Sequence, residues 1–180
     1  MYAPSDDSYL LADCIRQCNG RRALEIGIGS GLLLSILEKN FSYVAGSDID
    51  LQALQHCRQQ KTTTTSSNVL LVCCDAGSAF GIGKFDLIVS NPPYLPNDDD
   101  CYNIRDPTVH GGPTGIETTV HFINSALPLL AGDGKMLIVI SSSADPGALD
   151  NVVVENKMHK KVVKEKRLFY ETLSIVELSI

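Results

Sequence analysis

Two stretches of this chain carry groups suited to gripping a small planar or cationic ligand. The first is Ser90-Asn91-Pro92-Pro93-Tyr94. Consecutive prolines fix φ, push the residues before them toward extended conformations and remove two backbone donors. What remains is a stiff set of acceptors, the Asn91 side-chain oxygen and the Pro92 carbonyl, with the Tyr94 ring as a flat face beside them. Such a clamp suits the NH2 of an amide or a nucleobase. Taken alone, a Pro-Pro pair is also an ordinary strand terminator. The second stretch is Glu25-Ile26-Gly27-Ile28-Gly29-Ser30-Gly31. Residues without Cβ take positive φ and let a ligand approach the backbone. The dinucleotide fingerprint G-x-G-x-x-G would need its third glycine where this chain has Leu32. Glu25, two residues ahead of the turn, can meet a cationic group directly or through water, which a pyrophosphate would not tolerate.

These groups need a scaffold that ends strands beside one another. Phe85-Asp86-Leu87-Ile88-Val89 reads as a buried parallel strand that stops at the clamp, and in open α/β sheets that edge is where ligands bind. Ahead of it, the pattern predicts a helix over 8–18 on Leu10, Leu11, Cys14, Ile15 and Cys18, with Ser5, Asp6, Asp7 and Ser8 as possible caps. A strand over 23–26, a helix over 32–39, a strand over 41–47 and a helix over 51–60 follow. Thr62-Thr63-Thr64-Thr65-Ser66-Ser67 reads as an exposed, mobile loop. The wholly apolar run 69–74 reads as a strand buried on both faces, stopping at Asp75. After the clamp come an irregular acidic segment over 97–115, a helix over 116–130, a strand over 135–141, a helix over 145–156 and a closing hairpin over 159–166 and 170–179. The expected fold class is α/β: a seven-stranded, mostly parallel, Rossmann-like sheet with helices on both faces and an antiparallel C-terminal hairpin. Asp48 and Asp75, each ending a strand, are taken singly ordinary helix caps or turn residues.

At 180 residues, 44% hydrophobic and 20% charged, the chain reads as one globular domain over 1–180. Its net charge of −6 offers no general attraction for a nucleic-acid backbone. With no basic leader and no run of about 20 apolar residues, a soluble intracellular protein is expected. Cys14, Cys18, Cys57, Cys73, Cys74 and Cys101 show no metal-ligand spacing, so free thiols acting as small buried hydrophobes are expected, with no metal on the chain. Cys14 and Cys18 should share a helix face, and Cys73 and Cys74 opposite faces of a strand.

The pattern E-x-G-x-G-x-G at 25–31 resembles motif I of class I S-adenosylmethionine-dependent methyltransferases, whose cofactor carries an amino acid and a sulfonium cation. The resemblance implies that Asp48 takes the ribose hydroxyls and that Asp75, with the Ala76 backbone N–H, reads the adenine edge. Asn-Pro-Pro-Tyr is the motif of methyltransferases acting on planar nitrogens. Tyr2-Ala3-Pro4-Ser5-Asp6-Asp7-Ser8 through Asp13, and Gly111-Gly112-Pro113-Thr114-Gly115-Ile116-Glu117, look like segments of the HemK-related release-factor glutamine methyltransferases, in their short eukaryotic and archaeal branch. Bacterial relatives carry an extra N-terminal helical domain, for which the 24 residues before Glu25 leave no expected room.

By that resemblance Ser8, Glu25, Gly27, Gly29, Asp48, Asp75, Ala76 and Asn91 hold S-adenosyl-L-methionine and its product S-adenosyl-L-homocysteine. Asn91, Pro92 and Tyr94 position the substrate amide of a translation release factor. A small zinc-binding activator is the implied partner, and a cytoplasmic or also nuclear setting is implied; the apolar edge strand 69–74 needs a cover, which either a partner strand or the chain's own 62–67 loop can supply. The rival substrate is an exocyclic amine of DNA or RNA, for which Lys157, Lys160, Lys161, Lys164, Lys166 and Arg167 are the only basic cluster. A solvated hairpin face explains those residues as well. His110 reads as a packing or hydrogen-bonding residue, and direct nucleic-acid binding is not expected.

Overall fold

The computed structural model describes residues 3–60, 68–97 and 106–180. Tyr2, the loop expected at 62–67, Asp98-Asp99-Asp100 and Cys101 lie outside the described residues. The chain runs α1 (Asp6–Ile15), β1 (Gly20–Ile26), α2 (Leu32–Asn40), β2 (Phe41–Asp48), α3 (Leu51–Gln60), β3 (Val69–Cys73) and β4 (Phe85–Ser90). It continues through the short β5 (Leu95–Pro96) and β6 (His110–Gly112), α4 (Glu117–Ala126), a 3-10 turn (Leu127–Leu129), β7 (Leu130–Ser141), α5 (Pro146–Glu155), β8 (His159–Arg167) and β9 (Thr172–Ser179).

Seven strands form one sheet in the order β3-β2-β1-β4-β7-β9-β8, and β5 pairs with β6 in a separate ribbon. All pairs of the main sheet are parallel except β7 with β9 and β9 with β8. Successive strand residues point to opposite faces, which divides the core in two. Ala23, Leu87, Val89, Leu137 and Ile175 pack against α1, α2 and α3, while Leu24, Ile26, Ile88, Ile138 and Leu178 pack against α4 and α5. Strand order reverses between β1 and β4, so the crevice at a topological switch point opens over their carboxyl ends. That is where the glycine turn and the clamp lie. Among the described residues, no helix is long and apolar enough to cross a membrane.

Several boundaries and roles differ from expectation. β3 is not buried on both faces. At the sheet edge, where the resemblance places it, Leu70 is 58% exposed while Val69 and Leu71 pack partly against the core. Cys73 is likewise exposed; Cys14, Cys18 and Cys74 are half-buried, so among the described cysteines only Cys57 is the buried small hydrophobe expected. α1 stops at Ile15, placing Cys18 in the turn beyond it, where its Sγ reaches the Cys14 carbonyl at 3.5 Å. The helix expected over 116–130 splits because Pro128 supplies no N–H and the last turn tightens into a 3-10 turn.

Candidate functional site

A cleft of about 640 Å³ lies over the carboxyl ends of β1, β2 and β4. Ser8, Glu25, Gly27, Gly29, Asp48, Asp75, Asn91, Pro92 and Tyr94 all line it. Ala76 does not; it sits behind Asp75, buried, with φ at +46°. Six carboxylates line the cleft, those of Asp7, Glu25, Asp48, Asp50, Asp75 and Glu171, and no Lys or Arg is among the described residues that do. The site therefore favours neutral or cationic ligands over phosphates.

The floor is built by the turn after β1. Gly27, Gly29 and Gly31 take φ of +76°, +50° and +78°, conformations that L side chains resist. The Gly27 and Ile28 N–H groups donate to the Ser47 carbonyl at 2.9 and 3.1 Å, tying the turn to the end of β2. Asp48 then holds it from above. Its Oδ2 accepts from the Gly29 N–H at 3.0 Å and its Oδ1 from the Asp50 N–H at 2.9 Å. A Cβ on Gly29 would meet nothing within 4 Å, so this backbone is open to the cleft. Glu25 is buried at 2% exposure beneath it. An open glycine cradle with carboxylates at three strand ends fits a ligand bearing a cation and hydroxyls.

The clamp is held from two sides. Ser90 is fully buried and donates its hydroxyl to the Ile26 carbonyl at 2.9 Å, fastening the end of β4 to β1. On one side Asn91 Nδ2 donates to Ser8 Oγ at 3.2 Å, and Tyr94 Oη donates to Asp7 Oδ2 at 3.2 Å. On the other, the 111–117 segment lays its backbone against the clamp. A Cβ on Gly111 would fall 2.4 Å from the Pro93 carbonyl oxygen, and one on Gly115, at φ +82°, 2.4 Å from the Tyr94 oxygen. Glu117 fixes that turn by accepting from the Thr114 N–H and from its hydroxyl at 2.9 Å. Desolvation works against its charge, yet hydrogen bonds from its own N–H, from Thr114 and from the Ile116 N–H hold the carboxyl below its usual range. The amide of Asn91 is left with its Oδ1 buried and without a hydrogen-bond partner among the described residues.

Sequence reasoning missed four cleft residues. Asp7 passes for a helix cap, and no signal along the chain reports its contact with Tyr94, 87 positions on. His121 lies in α4, its Nε2 2.8 Å from Asp75 Oδ1, so the carboxylate read as the adenine ligand already has one neighbour. Phe122 follows it into the cleft wall, its would-be neighbour being a Gly27 Cβ at 3.5 Å. Glu171, at the end of the β8–β9 turn, accepts from the Ser141 hydroxyl and reaches the cleft from the far side. His110 lines the cleft with its Nδ1 3.1 Å from the Asp106 carbonyl, a hydrogen-bonding role as expected. Half of the basic cluster is paired with carboxylates: Lys164 with Asp13 at 2.8 Å, Lys166 with Asp6 at 2.9 Å and Lys160 with Asp150.

Sheet order, glycine cradle, strand-end acids and clamp together define a class I methyltransferase. Residues 5–170 match the methyltransferase small domain, and the chain belongs to that family. A protein of Methanocaldococcus jannaschii named for protein N5-glutamine methylation is 30% identical over 148 residues, 79% of this chain and 73% of its own. The release factor glutamine methyltransferase of Bradyrhizobium diazoefficiens is 32% identical over 127 residues, 65% of this chain but only 42% of that longer one. The solved Mtq2-Trm112 complex of E. cuniculi, responsible for methylation of the eRF1 translation termination factor, superposes with a TM-score of 0.78 at 22% identity. That match covers 99% of this chain and 97% of the solved one.

Proposed function

We propose that this chain methylates the side-chain amide nitrogen of a glutamine in a translation release factor, using S-adenosyl-L-methionine. The observation that carries this reading is Asn91, which lines the cleft and whose Oδ1 is a buried acceptor with no hydrogen-bond partner among the described residues. The cofactor, when bound, supplies an electrophilic methyl on a sulfonium. Glu25, Gly27, Gly29, Asp48 and Asp75 are the residues that would hold it, and Ser8 and Asn91 border it.

An amide nitrogen is a poor nucleophile because its lone pair is delocalised into the carbonyl. Asn91 Oδ1 and the Pro92 carbonyl each accept one hydrogen of the substrate NH2, which concentrates electron density on nitrogen and aims it along the line of displacement. With the cofactor bound, an N–C bond would form as its C–S bond broke, and the surplus proton on nitrogen would leave to water. Tyr94 walls the amide plane. No titrating base precedes attack, which agrees with a cleft whose histidines are engaged with Asp75 and the Asp106 carbonyl.

Six carboxylates in the cleft with no Lys or Arg among the described residues that line it, and the pairing of Lys160, Lys164 and Lys166 with carboxylates, favour a protein over a nucleic acid. The exposed edge of β3, with Leu70 outward, supports a small zinc-binding activator that adds a strand there. A substrate of the translation machinery goes with a cytoplasmic, possibly also nuclear, setting. The test is methyl transfer from labelled S-adenosylmethionine to a purified release factor, to DNA and to RNA, each with and without the activator. Label on the release factor that vanishes when its target glutamine is replaced supports the reading. Label confined to nucleic acid overturns it.

A further inference from the structure

The hydrogen-bond chain behind the clamp has a direction, and one residue sets it. Asp7 is 2% exposed in the first turn of α1. Its Oδ1 accepts from the Ser8 N–H at 2.5 Å and the Ser8 hydroxyl at 3.1 Å, and its Oδ2 accepts from Tyr94 at 3.2 Å. Ser8 has a single hydroxyl hydrogen, and its oxygen also lies 3.2 Å from the Asn91 side-chain nitrogen. Asp7 and Asn91 thus stand on either side of one donor. A carboxylate can only accept, and charge-assisted hydrogen bonds are roughly twice as strong as neutral ones. The hydrogen goes to Asp7, and Ser8 Oγ faces Asn91 as an acceptor. The one part of an amide that can meet an acceptor is its NH2. Asn91 must then turn Oδ1 away from Ser8, where it is buried and has no hydrogen-bond partner among the described residues.

We propose that Asp7 is a positioning residue that fixes the orientation of the Asn91 amide through the Ser8 hydroxyl, so that the clamp presents an acceptor rather than a donor. This rests on the amide-clamp reading given above. Nothing in the Asn91 side chain itself chooses between its two nearly isosteric orientations; the choice is imposed from α1, more than 80 residues away in sequence (83 between Ser8 and Asn91). An amide at position 7 removes the constraint. Its NH2 can donate to Ser8 Oγ, which frees the Ser8 hydrogen for Asn91 Oδ1 and swings the Asn91 NH2 into the cleft, donor against donor with the substrate.

The experiment compares wild type, Asp7→Asn, Asn91→Ala and the double variant. Asp7→Asn is expected to lower kcat about 10–100-fold while KM for S-adenosylmethionine stays within about 3-fold. On the Asn91→Ala background it is expected to add less than about 2-fold, since a residue acting through Asn91 has nothing left to act on. Effects that multiply, or an unchanged kcat, overturn the proposal. A second readout needs no substrate: in a 1H–15N spectrum the Asn91 side-chain amide, assigned by its loss in Asn91→Ala, should show one slowly exchanging proton. That protection should disappear in Asp7→Asn and, should that variant fold poorly, in Ser8→Ala. Equal exchange in wild type and both variants overturns the proposal. Protection that disappears in the variants, from a wild type that never methylates a release factor, sustains the proposal and overturns only the substrate reading.

Discussion

Gly111 lies so close to Pro93 that a Cβ on it would sit 2.4 Å from the Pro93 carbonyl oxygen. The segment after the clamp is therefore part of the clamp's mould, pressed backbone to backbone against it. Gly111→Ala forces the two apart, and overpacking of this kind costs about 1–3 kcal/mol. For a chain of this size the expected drop in Tm is roughly 2–12 °C. Calorimetry checks that, and turnover should fall further than the loss of folded protein explains.

Asn91→Ala deletes the acceptor and leaves the cradle intact. A loss of roughly 100-fold or more in kcat is expected, by analogy with single donors removed from preorganised sites. Cofactor affinity, measured by calorimetric titration, should move by only a few-fold. Weakened cofactor with a preserved rate would show that Asn91 serves the cradle instead.

Asp48→Ala should do the reverse. Its two oxygens hold the Gly29 and Asp50 N–H groups, so removing them loosens the glycine turn as well as deleting a ligand for hydroxyls. Hydrogen bonds to charged groups contribute about 1.5–3 kcal/mol, which predicts a 10–100-fold rise in cofactor Kd. An unchanged Kd would remove Asp48 from the binding site.

Glu117 predicts a pH dependence. Its carboxyl is held below the ordinary glutamate value of 4.5, so the folded state binds its proton less readily than the unfolded chain. The stabilisation it gives is fully present above that value and is lost as pH falls through the lower folded one. Glu117→Gln should flatten stability against pH in that acid window, read by urea midpoints, and change little near neutrality in slope. An unaltered acid slope would mean that the Thr114 contacts carry no net preference for the ionised form.

Leu70→Glu tests the edge strand. Leu70 is 58% exposed on β3, so the free chain should lose within about 0.5 kcal/mol of stability. Association with a strand-adding activator should weaken at least tenfold. Undiminished association would place the partner elsewhere.

Much of this architecture was legible because its strands are short apolar runs that each end on a polar signal. Asp48, Asp75 and Asn91 lie at or just beyond strand ends, which must sit at the sheet's carboxyl edge, and their recurrence after successive strands, with Glu25 just ahead of the glycine turn, made the site readable. The burial of β3 was misjudged, though not its edge position: Val69 to Val72 are as apolar as any central strand, and nothing local tells a strand whether both its faces are covered. Asp7 and Glu171 were invisible for a different reason. Both act across the fold, on Tyr94 and Ser141, and helix-start or turn acids are common enough to hide them. His121 lies on the exposed side of α4, where a histidine gives no signal of its own, and it reaches Asp75 because α4 packs beside the crevice.

α1 is seated on β7, β8 and β9, and its Asp13 and Asp6 are tied to Lys164 and Lys166, 151 and 160 residues further on. On the ribosome, a nascent chain still lacking those strands already has its glycine turn and its Asn-Pro-Pro-Tyr stretch, and α1 can lean on α2, but the rest of its seat is missing. At about 5–20 residues per second, several seconds separate synthesis of the clamp from that of the hairpin. The helix that carries Asp7 and Ser8 is thus fully seated only after the motifs have been made, and a product cut before β8 would carry every recognisable motif on an incomplete seat.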